Sequence, residues 1–373
     1  MTSYNRAFAA VDLTAIQGNF DTLSALLPRE TKKLCVVKAD GYGHGAVPVA
    51  RALQGRADYF AVACLEEALT LREAQIREPI LILSYTHPSL FPALIEKEIC
   101  ATVYTEEDAI ALSHAAERMG KCALCHVKVD TGMGRVGFSP TKESADAVAR
   151  IKSLPSLWVE GLFSHLARAD EVDKTSAREQ IALFDGFLAL LEERGARPAL
   201  CHLLNSAGVI EGLPPYDMCR FGIALYGLTP SEEVTLPQGI RPAMSLKSHV
   251  IHLKKVPQGF PVGYGQIWRA PRESVVATVS IGYADGVRRD LTGKGEVLIR
   301  GRRLPIVGKI CMDQLMVDAT TLPDISVDDE VTLFGRDGDA TLPVEEYAAR
   351  CHSFNYEAVC AVLPRVTRVY REK

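Results

Sequence analysis

Leu34-Cys-Val-Val-Lys38-Ala-Asp-Gly41-Tyr42-Gly43-His-Gly45 carries a short apolar strand pattern into a glycine-punctuated turn and then into a stretch of helical period. The unit recurs. Apolar runs at 34–39, 59–63, 79–84, 100–104, 123–130, 157–165, 199–206 and 220–226 make eight, with amphipathic stretches such as 65–75, 106–120 and 177–195 between them. Short strands alternating with longer helices mark parallel βα units. Eight strands exceed the five or six, roughly, of a doubly wound sheet. The spacing therefore predicts an α/β fold whose N-terminal part is a (β/α)8 TIM barrel.

A further strand-like piece, 8–13, precedes a helix from Thr14 that feeds the first barrel strand, and is expected to pair elsewhere. After Ser231 the pattern turns to short alternating strands broken by glycine and proline, at 247–254, 274–281, 295–299, 304–307, 314–318 and 330–334. The expected domains are a barrel over 1–235, with residues 1–13 free to pair with the second domain, and a mainly β domain over 236–373.

The chain has 373 residues, with 42 basic against 46 acidic side chains and a net charge of −4, so no basic patch points to nucleic acid. With 47% hydrophobic and 24% charged residues it reads as an ordinary folded protein. No apolar run approaches the ~18 to 20 residues of a membrane-spanning helix. The first ten residues carry no leader or lipidation pattern, and a cytoplasmic location is expected. Ten cysteines scattered through apolar segments are expected to be buried free thiols. Cys122-Ala-Leu-Cys125-His126 matches a haem-attachment string and half a zinc site. It runs straight into an alternating strand pattern, so it is read as two cysteines on a buried strand, with no metal.

In such barrels the chemistry sits where strands end, at the carboxyl face. Strand 1 ends in Lys38. Partial desolvation at a strand tip lowers an amine from its usual pKa of about 10.4 and makes it a usable nucleophile for a carbonyl. The glycines at 41, 43 and 45 lack the spacing of a dinucleotide fingerprint, and a plain tight turn remains the alternative for them. Strand 5 leads through Lys128 to Arg135 on a glycine-rich loop, a pair able to converge on an anion. Strand 6 ends in Ser164-His165, strand 7 in Asn205-Ser206, and strand 8 carries Arg220-Phe-Gly222-Ile223. Phosphate groups in these barrels often sit on the loops after strands 7 and 8.

Together with Lys128-Val-Asp-Thr-Gly-Met-Gly-Arg135, Arg220-Phe-Gly-Ile-Ala-Leu-Tyr226-Gly, Val262-Gly-Tyr264-Gly, Ile281-Gly-Tyr283-Ala-Asp-Gly286, Cys311-Met312-Asp313 and Asn355-Tyr356-Glu357, the Lys38 motif resembles that of the alanine racemases. These are enzymes of pyridoxal 5'-phosphate. The motifs span nearly the whole chain in order. The resemblance implies a barrel plus β domain in a head-to-tail homodimer whose active site is shared across the interface. It also implies a small amino-acid substrate, alanine, and D-alanine for cell-wall peptidoglycan.

On this resemblance Lys38 holds the cofactor and serves the D-isomer, while Tyr264 of the partner copy serves the L-isomer from the opposite face. One base on each face is what inversion at a planar carbon requires. A free phenol ionises near pH 10, roughly, so a tyrosine base needs a positive neighbourhood. The family's chain from tyrosine through histidine to arginine falls here on His165 and Arg220, the arginine facing the pyridine nitrogen. Arg135 matches the contact to the phenolic oxygen and the substrate carboxylate, and Lys128 a position often carbamylated. Tyr42, Ser206, Gly222, Ile223 and Tyr356 match phosphate contacts. The backbone N–H of Met312 matches a carboxylate contact, and Tyr283, Cys311 and Asp313 support the pocket. Lys309 departs from the family's usual arginine near the channel mouth, keeping the charge without the bidentate geometry. A racemase of broader specificity for alanine and serine, and a decarboxylase of the same fold, are the alternatives.

Overall fold

The computed structural model describes residues 5–371. They divide into two units, one of Ala15–Gly41 with Ala46–Arg241, the other of the described part of Met1–Thr14 with Tyr42–Gly45 and Pro242–Lys373. Strand β1 (Ala7–Asp12) belongs to the second unit and leads into helix α1 (Leu13–Ser24).

In the first unit the eight expected strands are β2 (Lys32–Val36), β3 (Tyr59–Val62), β4 (Ile80–Ile82), β5 (Ala101–Val103), β6 (Ala123–Lys128), β7 (Leu157–Phe163), β8 (Leu200–His202) and β9 (Met218–Phe221). They pair in parallel as β4-β3-β2-β9 and β5-β6-β7-β8. Two seams close the ring. Cys100 donates its backbone N–H to Ile80 O at 2.8 Å between β4 and β5, and Arg220 N–H donates to Leu204 O at 3.1 Å between β8 and β9. Parallel strands covered on both faces read as unbroken apolar runs, and Leu34, Phe60, Leu81, Cys125 and Leu162 are fully buried. The helices obey local rules as well. Helix Glu106–Met119 starts at Thr105, whose hydroxyl accepts from Asp108 N–H at 3.1 Å, and stops at left-handed Gly120.

In the second unit, β10 (Met244–Val256) pairs in turn with strands β13 (Ser274–Val279) and β17 (Glu330–Asp337). Between those two run β16 (Leu315–Asp318), β15 (Arg302–Val307) and β14 (Glu296–Ile299), so six strands form a closed cycle of antiparallel pairs. The 8–13 segment finds its partner here, β1 lying antiparallel to β10 and parallel to β19 (Thr367–Arg371). Sequence periodicity does not announce the two-residue hairpin β11 (Pro261–Val262) with β12 (Trp268–Arg269), nor β18 (Ala340–Leu342), nor helices Val344–Arg350 and Asn355–Cys360. They are too short to show a period.

The cysteine expectation needs correcting. All ten thiols are free, but Cys122 and Cys360 are exposed and Cys64 and Cys311 only partly covered. Cys122 lies one residue before β6 begins, so only Cys125 is on a buried strand.

Candidate active site

Lys38 follows β2 at a strained turn. Ala39, Asp40, Gly41 and Tyr42 all have φ between 51° and 61°, a left-handed run in which only Gly41 is free of Cβ strain. Local hydrogen bonds hold it. Glu67 accepts from the backbone N–H of Ala39 and of Ala63, each at 2.7 Å, tying the tips of β2 and β3 together. Asp40 accepts from Ala46 N–H at 2.9 Å. A Cβ on Gly43 would lie 2.2 Å from Val359 O, so this glycine is required by close approach as well as by its φ of 78°.

Past β6 the chain folds back on itself, with Asp130 at the centre. Its carboxylate accepts from the backbone N–H groups of Gly132, Met133, Gly134 and Arg135 at 2.8–3.1 Å. Burial alone would raise this carboxyl, but the N–H groups keep it below the usual range. The turn presents Arg135 to solvent and buries Lys128, whose Nζ donates to Val129 O at 2.7 Å and Val136 O at 3.2 Å. Burial pulls the Lys128 amine down to about 8. Arg220 and Arg135 act in the same sense, and Asp130 opposes them.

Arg220 is 3% exposed inside the barrel. Its Nη1 donates to His202 Nδ1 at 2.8 Å, and its Nη2 to Ser164 O, Leu203 O and His165 Nδ1 at 2.8, 2.7 and 3.1 Å. Burial lowers the guanidinium to about 10, so it stays charged at neutral pH. Burial, together with Arg220, Arg135, Lys128 and Lys38, holds His165 well below its usual pKa. The ring is therefore neutral. A guanidinium can only donate, so His165 Nδ1 carries the lone pair and Nε2 the hydrogen. Nearby, Ser206 Oγ accepts from Gly222 N–H at 2.9 Å and Ala224 N–H at 3.4 Å, just ahead of the turn Ile223–Tyr226.

These groups fit an anionic pyridine cofactor. The donor set is an amine, two guanidiniums, a hydroxyl and backbone N–H groups. Among the described residues Arg220 Nε–H donates to no protein group, leaving it for an acceptor such as an aromatic nitrogen. Pyridoxal 5'-phosphate has that nitrogen at one end and a phosphate at the other.

The second unit holds the other sequence-predicted residues. Buried Tyr42 has its ring 6.2 Å from that of Tyr356. Tyr283 donates its backbone N–H to Cys311 O at 3.1 Å, which sets Tyr283 beside Met312. Asp313 accepts from Arg365 at 2.8 Å. Tyr264, on a glycine-flanked turn, is 71% exposed, and Tyr283, Met312 and Ile267 are also exposed.

Sequence reading overlooked Glu67, His202, Glu160 and Tyr59, and took His126 only as part of the cysteine string. The period-2 rule offered a signal, because His126 shares a strand face with Lys128 and His202 lies at the end of β8.

The sequence model of the alanine racemase N-terminal domain matches residues 11–230, and that of the C-terminal domain residues 243–370. A Desulfovibrio desulfuricans protein named alanine racemase is 44% identical, with all of both chains covered. The alanine racemase structure from Clostridium difficile superposes with a TM-score of 0.94 at 39% identity, covering 100% of this chain and 97% of that one. The Bacillus anthracis alanine racemase with bound L-Ala-P gives 0.92 at 36% identity, covering 100% and 96%. With both domain models matched in order along one chain, the protein belongs to the alanine racemase family.

Proposed function

We propose that this chain interconverts L-alanine and D-alanine with pyridoxal 5'-phosphate, as a cytoplasmic homodimer supplying D-alanine to cell-wall peptidoglycan. The observation that carries the reading is buried Arg220, which donates to His165 Nδ1 at 3.1 Å and to His202 Nδ1 at 2.8 Å and keeps its Nε–H for an aromatic nitrogen. The family membership supports it.

When bound, the cofactor supplies an aldehyde for the substrate amine and an aromatic system that spreads negative charge away from the α-carbon. Lys38 would hold it through its amine, with Ser206 and the N–H groups of Gly222 and Ile223 at the phosphate. Tyr42 and Tyr356 are proposed as further phosphate contacts on sequence resemblance alone. Arg220, charged at neutral pH, offers the ring nitrogen a hydrogen bond rather than a proton, which limits how long negative charge stays at the α-carbon. Arg135 takes the substrate carboxylate, assisted by the Met312 N–H of a second copy. The Lys38 amine removes or returns the α-proton on one face. On the other face Tyr264 of the second copy does the same through its phenolic oxygen. Tyr283 and Met312, both exposed on the domain that supplies Tyr264, limit the side chain to about a methyl group. Lys128, as an unprotonated amine, can attack carbon dioxide and lose a proton to give a carbamate, an anion that would orient Arg135.

A Tyr264→Phe variant tests the two-base reading. It should keep cofactor absorbance near 420 nm, roughly, and lose racemisation by about 10²- to 10⁴-fold. Full racemisation by that variant overturns the assignment.

A further inference from the structure

Inside the barrel unit, a line of polar side chains that the proposed reaction does not use leads up to Arg220. Tyr59 OH donates to Glu160 Oε1 at 2.8 Å, and Glu160 Oε2 lies 3.4 Å from His126 Nε2. His126 Nδ1 is 2.9 Å from His202 Nε2, and His202 Nδ1 is 2.8 Å from Arg220 Nη1. Both histidines are fully buried. The backbone is shaped around them. Along β6 and β7 the register pairs Cys125 with Val159 and then His126 with Gly161, so Glu160 is the extra residue of a bulge, a device that re-aims a side chain. A Cβ at Gly161 would lie 2.5 Å from the His126 ring, so glycine there makes room for the imidazole.

The chain has one consistent direction. Arg220 can only donate, so His202 Nδ1 must hold a lone pair, and a neutral His202 carries its hydrogen on Nε2. Burial, with Arg220 beside it, keeps His202 neutral. His202 Nε2–H then donates to His126 Nδ1, and His126 in turn carries its hydrogen on Nε2 and donates to Glu160. An acceptor-only carboxylate at one end and a donor-only guanidinium at the other leave no other arrangement of two neutral rings.

We propose that Glu160 is a positioning residue, whose carboxylate fixes the tautomers of His126 and His202 and so keeps an acceptor facing Arg220. This rests on the reading of Arg220 as the partner of the ring nitrogen. Without the acceptor at 160, the His126 Nε2–H is buried unpaired, and Arg220 alone opposes the reversed pair of tautomers. In that reversed pair His202 would point N–H against N–H at the guanidinium, and Arg220 would lose one of the contacts that orient it. Cys100, His126 and Glu160 also have ligand atoms within 4.8 Å of one another, a spacing that suits a metal ion. The hydrogen-bond chain argues otherwise, because a metal needs a ring lone pair. His126 Nε2 carries hydrogen, and the Nδ1 lone pair is engaged by His202.

The test compares Glu160→Gln with Glu160→Met in cofactor-loaded protein carrying ¹⁵N-histidine. A glutamine carbonyl still accepts from His126, whereas methionine fills similar space without a strong acceptor. Wild type and Glu160→Gln should show His126 and His202 as neutral rings protonated at Nε2, with kcat close to each other. Glu160→Met should lose that single pattern and drop kcat by about 10-fold or more, with KM moving less. His126 or His202 found protonated at Nδ1 or doubly protonated in wild type overturns the proposal. So does a Glu160→Met protein that keeps both the pattern and kcat, or stoichiometric zinc uptake that removes the Nε2–H signal of His126. The nitrogen spectra report on the chain even if alanine is not the substrate, so the two readings fail separately.

Discussion

Lys128 is an amine held where its charge is disfavoured, at about 8 rather than the ordinary value, chiefly by burial. The neutral form is the nucleophile, so ¹³C-labelled bicarbonate should give a carbamate resonance in the wild type that is missing in Lys128→Ala. Formation should slow as pH falls below about 8 and the amine takes up its proton. Gly161 works by the opposite means, through an absent side chain. Gly161→Ala should destabilise the protein by about 1–3 kcal/mol, read from urea denaturation, because the new methyl meets the His126 ring. Residue chemistry was legible where the side chain is unusual for its surroundings, as with Lys38 and Arg220. Glu67 escaped notice because a glutamate in the first turn of a helix looks like any other.

At the scale of elements, the strand tips after β2 and β6 are built against local preference. Ala39, Asp40 and Tyr42 each occupy a left-handed conformation that costs a non-glycine residue about 1–2 kcal/mol. Bonds from Glu67 and Asp40 offset part of that. Glu67→Ala should therefore loosen the Lys38 turn and lower kcat more than it lowers the melting temperature, measured on the same preparation. The Asp130 turn depends on Gly137, whose φ is 117° and whose Cβ would lie 2.7 Å from Lys128 O. Gly137→Ala should raise KM for alanine by disturbing Arg135, with a stability loss of about 1–3 kcal/mol. The strands and long helices were readable from period, whereas the left-handed turn and the bulge at Glu160 were not. Backbone conformation at single residues leaves no periodic trace in composition.

For the whole molecule, Tyr264, Ile267, Tyr283 and Met312 leave the β domain with large apolar side chains in solvent. The proposed second copy would cover them. Ile267→Glu should shift sedimentation equilibrium toward monomer and reduce racemisation in proportion, with circular dichroism unchanged. A fully active monomer would detach Tyr264 from the reaction.

The order of apolar runs determined the eight strands and the change to a β domain, because periodicity is a local property that burial imposes on every turn of chain. The motif residues were likewise present in the string of letters. Only the tertiary structure decided that residues from β3, β6, β7, β8 and β9 form one directed line of hydrogen bonds. Glu160, His126, His202 and Arg220 lie on different strands, and the direction of each bond depends on which partner can donate. Such a constraint exists only once the strands stand side by side.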